Sequence, residues 1–121
     1  MKAGGSLRTA DYLDHMILAI ESVFTYVSGM DREAFGADRK TQDAVIRNLE
    51  IVGEACSNVL RRDPVFAQSH PEVPWRFAYE MRNVLAHGYF VVDLDVVWTT
   101  VSSDLPEMMV NVRALRQAFG E

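Results

Sequence analysis

Apolar residues recur every three or four positions along most of the chain. From Thr9 onward the series Leu13, Met16, Ile17, Ile20, Phe24 and Val27 keeps that spacing, and Asp11, Asp14, His15, Glu21 and Ser22 fall between them on the polar side. Such a pattern describes an amphipathic helix that buries one face. Thr9 is a candidate N-cap, Asp11 and Asp14 suit a helix N-terminus, and Gly29 suits the C-terminal end. Asp31 to Asp38 reads as a short turn or helical turn. Thr41 then opens a second long helix, whose stripe is Val45, Leu49, Val52, Cys56 and Val59, widened by Ile46 and Leu60. Its polar face carries Arg47, Glu50, Glu54, Asn58 and Arg61. Gly53 inside this helix weakens it by roughly 1 kcal/mol relative to alanine, and a glycine there suits the close approach of another helix.

Asp63-Pro64 ends the second helix. The segment to Pro74 reads as a loop with one helical turn. A third, shorter helix covers Trp75 to Ala86, with Pro74 near its first turn and Gly88 as a natural C-terminal cap. Tyr89 to Val92 looks extended but is too short and isolated to build a sheet. Asp93 or Asp95 caps a last helix, in which Leu94, Val97, Trp98, Val101, Leu105, Met108, Val112, Leu115 and Phe119 keep helical spacing. Pro106 interrupts it, so a kink or break is expected near Asp104 to Pro106. No strand pattern and no repeat occurs. The predicted fold class is all-α, an up-and-down bundle of four to five helices. Residues 1–121 form one domain in this reading, with residues 1–8 as a disordered leader.

Composition narrows the picture. At 121 residues and 49% hydrophobic content the chain can build one packed core. It contains no apolar run of membrane-spanning length and no signal-peptide pattern, and its one cysteine, Cys56, fits a reducing compartment. A cytoplasmic protein without membrane contact is expected. The formal net charge of −5 argues against a protein that coats nucleic acid in bulk. The charge is uneven, however. Between Arg39 and Arg82 the seven basic residues Arg39, Lys40, Arg47, Arg61, Arg62, Arg76 and Arg82 slightly outnumber six acidic ones, which permits a local anion site.

The chemistry concentrates in one run, Met81-Arg82-Asn83-Val84-Leu85-Ala86-His87-Gly88-Tyr89. Arginine is a fixed cation that matches phosphate geometry, and histidine moves its proton most easily near neutral pH. In a regular helix, residues five apart differ by about 140° around the axis and roughly 7.5 Å along it. Arg82 and His87 therefore share a site only if the helix ends between them or if two copies of this helix end meet across a two-fold axis. The second arrangement predicts a homodimer with a composite cleft. There His87 takes the 2′-hydroxyl proton of RNA or donates to the leaving oxygen, and Arg82 holds the scissile phosphate. Asn83 orients His87 or a phosphate oxygen, and Tyr89 stacks on a base or bonds phosphate. Attack by the 2′-hydroxyl is intramolecular, so no metal and no cofactor is expected, and the product carries a 2′,3′-cyclic phosphate.

Each residue also has a plainer reading. A histidine before glycine at a helix end often caps the last carbonyls, and an arginine in a helix usually pairs with a nearby acid, here Glu80 or Glu54. His15 falls on a polar helix face and reads as solvated, and His70 in the proline-rich loop reads as incidental. Cys56 sits on the core stripe and reads as buried and inert. Trp75 and Trp98 read as core anchors. No histidine, cysteine or carboxylate cluster has metal-site spacing, and no phosphate-binding glycine loop or serine nucleophile elbow occurs.

The run RNVLAHGY resembles the R-x4-H-x-Y signature of the HepT-like ribonucleases of the HEPN superfamily. Asp38 to Ala55 is similar to that family's second-helix segment, and Val92 to Trp98 with Asp104-Leu105-Pro106 to its last-helix segment. The resemblance implies a dimeric helical bundle and a metal-independent ribonuclease that is the toxin of a toxin–antitoxin pair, with tRNA or mRNA as substrate. It implies an MntA-type nucleotidyltransferase antitoxin as partner, which silences the toxin by attaching AMP to the tyrosine corresponding to Tyr89. A reading from another class is a non-catalytic HEPN interaction module that binds, and is modified by, a minimal nucleotidyltransferase. The two share Tyr89 and the dimer and differ over His87.

Overall fold

A computed structural model describes residues 8–86 and 92–120. Among them every regular element is helical, as the apolar spacing requires. Helix α1 spans Thr9–Tyr26, α2 Arg32–Gly36, α3 Arg39–Arg62, α4 Pro64–Ser69 and α5 Trp75–Ala86. The last rod is built from α6, Leu94–Thr99, a π-helical turn, Thr100–Asp104, and α7, Leu105–Ala118.

Cross-helix contacts give the directions. Thr9 Oγ1 donates to Asp63 at 2.6 Å and Met16 meets Cys56 at 3.9 Å, so α1 runs antiparallel to α3. Arg113 pairs with Glu21 and Arg116 with Asp14, each at 2.7 Å, so α7 runs antiparallel to α1. Gly53 lies against Ala78 and Arg82, while Leu60 and Trp75 line one pocket near the other end, so α5 runs antiparallel to α3. The four long rods thus form an up-and-down all-α bundle, with α2 and α4 as short connectors. Leu13, Met16, Ile20 and Val23 of α1 meet Val45, Val52, Cys56 and Val59 of α3 and Val97, Leu105, Met108 and Val112 of the last rod in one core.

Several helix ends differ from the sequence expectation, each for a local reason. Thr9 does not cap α1, because its hydroxyl is spent on Asp63. The backbone N–H of Arg8 donates instead to the Asp11 carboxylate at 2.8 Å. Helix α3 starts two residues before Thr41, because Asp38 caps it by accepting from the Thr41 N–H at 3.1 Å. The same hydrogen bond, together with the Thr41 hydroxyl, lowers the Asp38 carboxyl below its ordinary value. The proline-rich stretch contains α4, opened by Asp63, which accepts from the Phe66 N–H, with Pro64 at the first helical position. Asp93, rather than Asp95, caps the last rod. The expected kink is resolved as the π-helical turn. Pro106 has no N–H to donate and its ring crowds the carbonyl four residues earlier, and a widened turn before it accommodates both. The proposed cap at Gly88 and the extended stretch Tyr89 to Val91 lie outside the described residues.

Two buried features secure the short connectors. Phe35 of α2 is fully buried and its ring centroid lies 5.2 Å from that of Trp98. The buried Gln42 amide donates to the carbonyls of Phe35 and Gly36 at 2.9 and 3.0 Å, which satisfies the end of α2. Trp75 is buried with its indole N–H on the His70 carbonyl at 3.0 Å, and the His70 ring packs on Phe66 at 4.6 Å, so His70 has a packing role.

Helix α5 packs closely on α3 at Gly53. A Cβ added at Gly53 would collide with the Arg82 Cβ and lie 2.7 Å from the Ala78 carbonyl oxygen. We expect Gly53→Ala to destabilise the protein by about 1–3 kcal/mol despite alanine's better helix propensity, because the obstructing atoms are backbone and Cβ. Urea unfolding measures this, and a stabilised variant would refute the close approach. Burial pushes the Cys56 thiol up to about 12, so thiolate is scarce well past neutral pH. Cys56 should resist alkylation at pH 8 in the native protein and react promptly once unfolded, as read by mass spectrometry.

Candidate active-site groove

Three helices contribute to a groove of about 360 Å³ lined by His15, Arg47, Glu50, Ile51, Glu54, Ala55, Asn58 and Arg82. Its floor is the polar edge of α3. Positions 47, 51, 54 and 58 follow one another by four, three and four residues, which keeps them on one face of a helix. Arg47 to Asn58 covers roughly 16 Å of α3 at the helical rise per residue. Helix α1 brings His15 to one wall and α5 brings Arg82 to the other.

Arg82 reaches the groove because Gly53 lets its Cβ settle directly on α3, one residue from Glu54. Its guanidinium is then held twice. One nitrogen pairs with the Glu54 carboxylate at 2.9 Å, and the other donates to the Asn83 side-chain oxygen at 2.8 Å. The arginine side chain is about one-third exposed and the glutamate half exposed. The pair therefore orients the guanidinium more than it stabilises the fold. Of the two acids that could pair with Arg82, the structure selects Glu54. Asn83 contacts Arg82. His87 and Tyr89 lie outside the described residues. The groove edge where Arg82 emerges belongs to the helix whose last described residue, Ala86, immediately precedes His87.

The groove includes two residues that the sequence placed only on polar helix faces, not at a site. His15 is exposed, as its polar stripe implies, but its ring is set edge-on against buried Tyr12, with centroids 6.0 Å apart at 88°. Arg47 is exposed and has no carboxylate partner among the described residues. The far end is marked by Asn58, whose side-chain oxygen accepts from Arg61 at 2.9 Å and Arg62 at 3.4 Å. No signal within one helix could have united these residues, since each merely occupies a polar stripe. Among the described residues, no three His, Cys, Asp or Glu side chains are grouped to hold a metal ion. No helix among them is long and apolar enough to cross a membrane.

On the opposite side of α5, Phe77, Met81 and Val84 recur at positions i, i+4 and i+7. Phe77 and Val84 are exposed at 44% and 66%, and Val96 of α6 beside them at 47%, so an apolar strip adjoins the helix end that carries the motif.

Comparison with known proteins identifies the family. Residues 16–115 match the family model described as "Ribonuclease HepT-like". The chain is 43% identical over 107 residues to a protein of Thermococcus cleftensis named "Probable ribonuclease HepT", covering 88% of this chain and 94% of that one. It is 34% identical over 106 residues to a Caldanaerobacter subterraneus protein named "Putative RNase", covering 88% and 92%. A longer Methanocaldococcus jannaschii protein, named "Gamma-glutamylcyclotransferase and putative RNase", is 36% identical over 97 residues, covering 80% of this chain and 42% of that one. No solved structure matches. An all-α bundle of this element order, matched from α1 to α7 by one family model, belongs to the Ribonuclease HepT-like family.

Proposed function

We propose that this protein is a metal-independent endoribonuclease of the HEPN type. It acts in the cytoplasm as the toxin of a toxin–antitoxin pair on tRNA or mRNA. The observation that carries the reading is Arg82, the first residue of the R-x4-H-x-Y run, presented on an open groove in a chain of this family. Residues 1–121 act as one domain. Two copies assemble about the α5 ends, and the apolar strip of Phe77, Met81, Val84 and Val96 beside the motif supports such a contact. A composite cleft then contains two histidines. One His87 takes the proton of the ribose 2′-hydroxyl as its oxygen attacks phosphorus. The bond from phosphorus to the 5′-oxygen breaks, and that oxygen receives its proton from the second His87. Arg82, already oriented by Glu54 and Asn83, offers a fork of donors to the charge that grows on the phosphoryl oxygens. The products are a 2′,3′-cyclic phosphate and a 5′-hydroxyl end.

Tyr89 is the point of control in this reading. An MntA-type nucleotidyltransferase forms a bond from the tyrosine oxygen to the α-phosphorus of ATP and releases pyrophosphate. The attached AMP brings negative charge and bulk next to Arg82 and His87, where the substrate backbone belongs. The alternative is a non-catalytic HEPN module that serves only as the nucleotidyltransferase's partner and substrate. The engagement of Arg82 by Glu54 is the observation in its favour, since an arginine satisfied by a carboxylate needs no phosphate.

Unmodified protein incubated with total RNA in EDTA should produce discrete fragments ending in cyclic phosphate. His87→Ala should lower the rate about 10²–10⁴-fold and Arg82→Ala about 10²–10³-fold. Cleavage by His87→Ala at the wild-type rate removes that residue from the mechanism, and no cleavage by unmodified wild type selects the module reading. Tyr89→Phe should remain active when treated with the nucleotidyltransferase and ATP, while wild type gains an AMP adduct by mass spectrometry and loses activity.

A further inference from the structure

The groove is longer than one phosphodiester requires. Glu54, which holds Arg82, is seven residues beyond Arg47, so the two guanidinium groups are anchored roughly 10 Å apart along α3. Arg82 is occupied by Glu54 and Asn83, whereas Arg47 lines the same groove with no anionic partner among the described residues. At the other end of the groove is His15 of α1, which the Met16–Cys56 contact places level with the α3 residues beyond Glu54, an exposed imidazole set edge-on to the buried Tyr12 ring. Arg47 is thus the groove's unoccupied cation, and His15 is its oriented, exposed ring.

We propose that Arg47 forms a second RNA subsite on one side of Arg82, holding a phosphate that flanks the scissile bond, while His15 contacts a base on the other side. This rests on the ribonuclease reading and adds the class of substrate: a single-stranded segment of several nucleotides laid along the polar edge of α3. A single strand is required because its bases are free to turn toward a protein ring, whereas in an A-form duplex they are stacked and paired. Arg47 binds the flanking phosphate as a fork of N–H donors. His15 stacks on, or donates to, a nucleotide on the far side of Arg82. Glu50, one turn from Arg47 on the same edge, lies between the two cations and repels phosphate there. The backbone is thereby directed to the two arginines instead of sliding between them. Arg61 and Arg62, gathered on Asn58, continue the basic edge beyond Arg82. A chain with net charge −5 can in this way bind RNA through a narrow local track.

The test is binding of a mixed-sequence 2′-O-methyl 12-mer, which lacks the nucleophile, read by fluorescence anisotropy across a salt series. Wild type, Arg47→Ala, His15→Ala and Arg39→Ala are compared, with cleavage of total RNA by each in parallel. Arg39 is exposed on the same helix but pairs with Asp43 outside the groove, so it controls for bulk charge. Arg47→Ala should weaken binding about tenfold and reduce the slope of log affinity against log salt by about 0.7, the value for one lost single-strand phosphate contact. His15→Ala should weaken binding about fivefold or more, as for one lost stacking contact. Arg39→Ala should match wild type in slope. Wild-type cleavage with Arg47→Ala and Arg39→Ala indistinguishable in slope overturns the subsite and leaves the ribonuclease reading intact. Wild type that neither binds the 12-mer nor cleaves RNA overturns both. Both groove residues are exposed, so circular dichroism should show all variants folded.

Discussion

The contact between α5 and α3 at Gly53 governs the rest of the molecule's functional face. A glycine in the middle of a long helix costs helix stability, and this one sits where any side chain would strike the Arg82 Cβ and the Ala78 carbonyl. Its absence of a Cβ lets two backbones approach closely. That approach sends the Arg82 side chain along the polar edge of α3, directly to Glu54. With α5 held further out, Arg82 would be one more solvated arginine. The packing of two helices thereby becomes the aim of a guanidinium.

Electrostatics on this face is arranged by alternation. Along α3 the groove meets Arg47, Glu50, Glu54 with its bound Arg82, and then Asn58 with Arg61 and Arg62. An acidic protein cannot hold an anion by bulk attraction, so its anion sites must be local and separated. Preorganisation is the compensation. The Arg82 guanidinium is fixed by two partners, and a ligand that displaces or joins them loses less side-chain entropy on binding. The pairs between α1 and α7, Arg113 with Glu21 and Arg116 with Asp14, are as short but serve only to align two helices at the surface.

The connectors show the same economy of means. Asp31, Asp38, Asp63 and Asp93 each accept from the first turn of the helix that follows, so the chain restarts cleanly at α2, α3, α4 and α6. Gln42 ties the end of α2 to α3, and Phe35 against Trp98 ties it to α6. The π-helical turn before Pro106 keeps the apolar stripe of the last rod facing the core through a residue that would otherwise break it, since Val101, Leu105, Met108 and Val112 all remain buried.

Apolar spacing alone determined the helices, their core faces and the all-α bundle, because periodicity is a property of each helix by itself. It also placed Cys56 in the core and Arg82 near the end of a short helix, and Gly53 already suggested a close neighbour. Helix starts were less legible. Thr9 reads as a cap but bonds Asp63, which is remote in sequence, and Asp38 rather than Thr41 opens α3. The choice of Glu54 over Glu80 as the partner of Arg82, and the meeting of His15, Arg47 and Arg82 in one groove, came only from the tertiary structure. A polar stripe looks the same whether it faces solvent or another polar stripe, and which stripes face each other is set by how closely and at what register the helices pack.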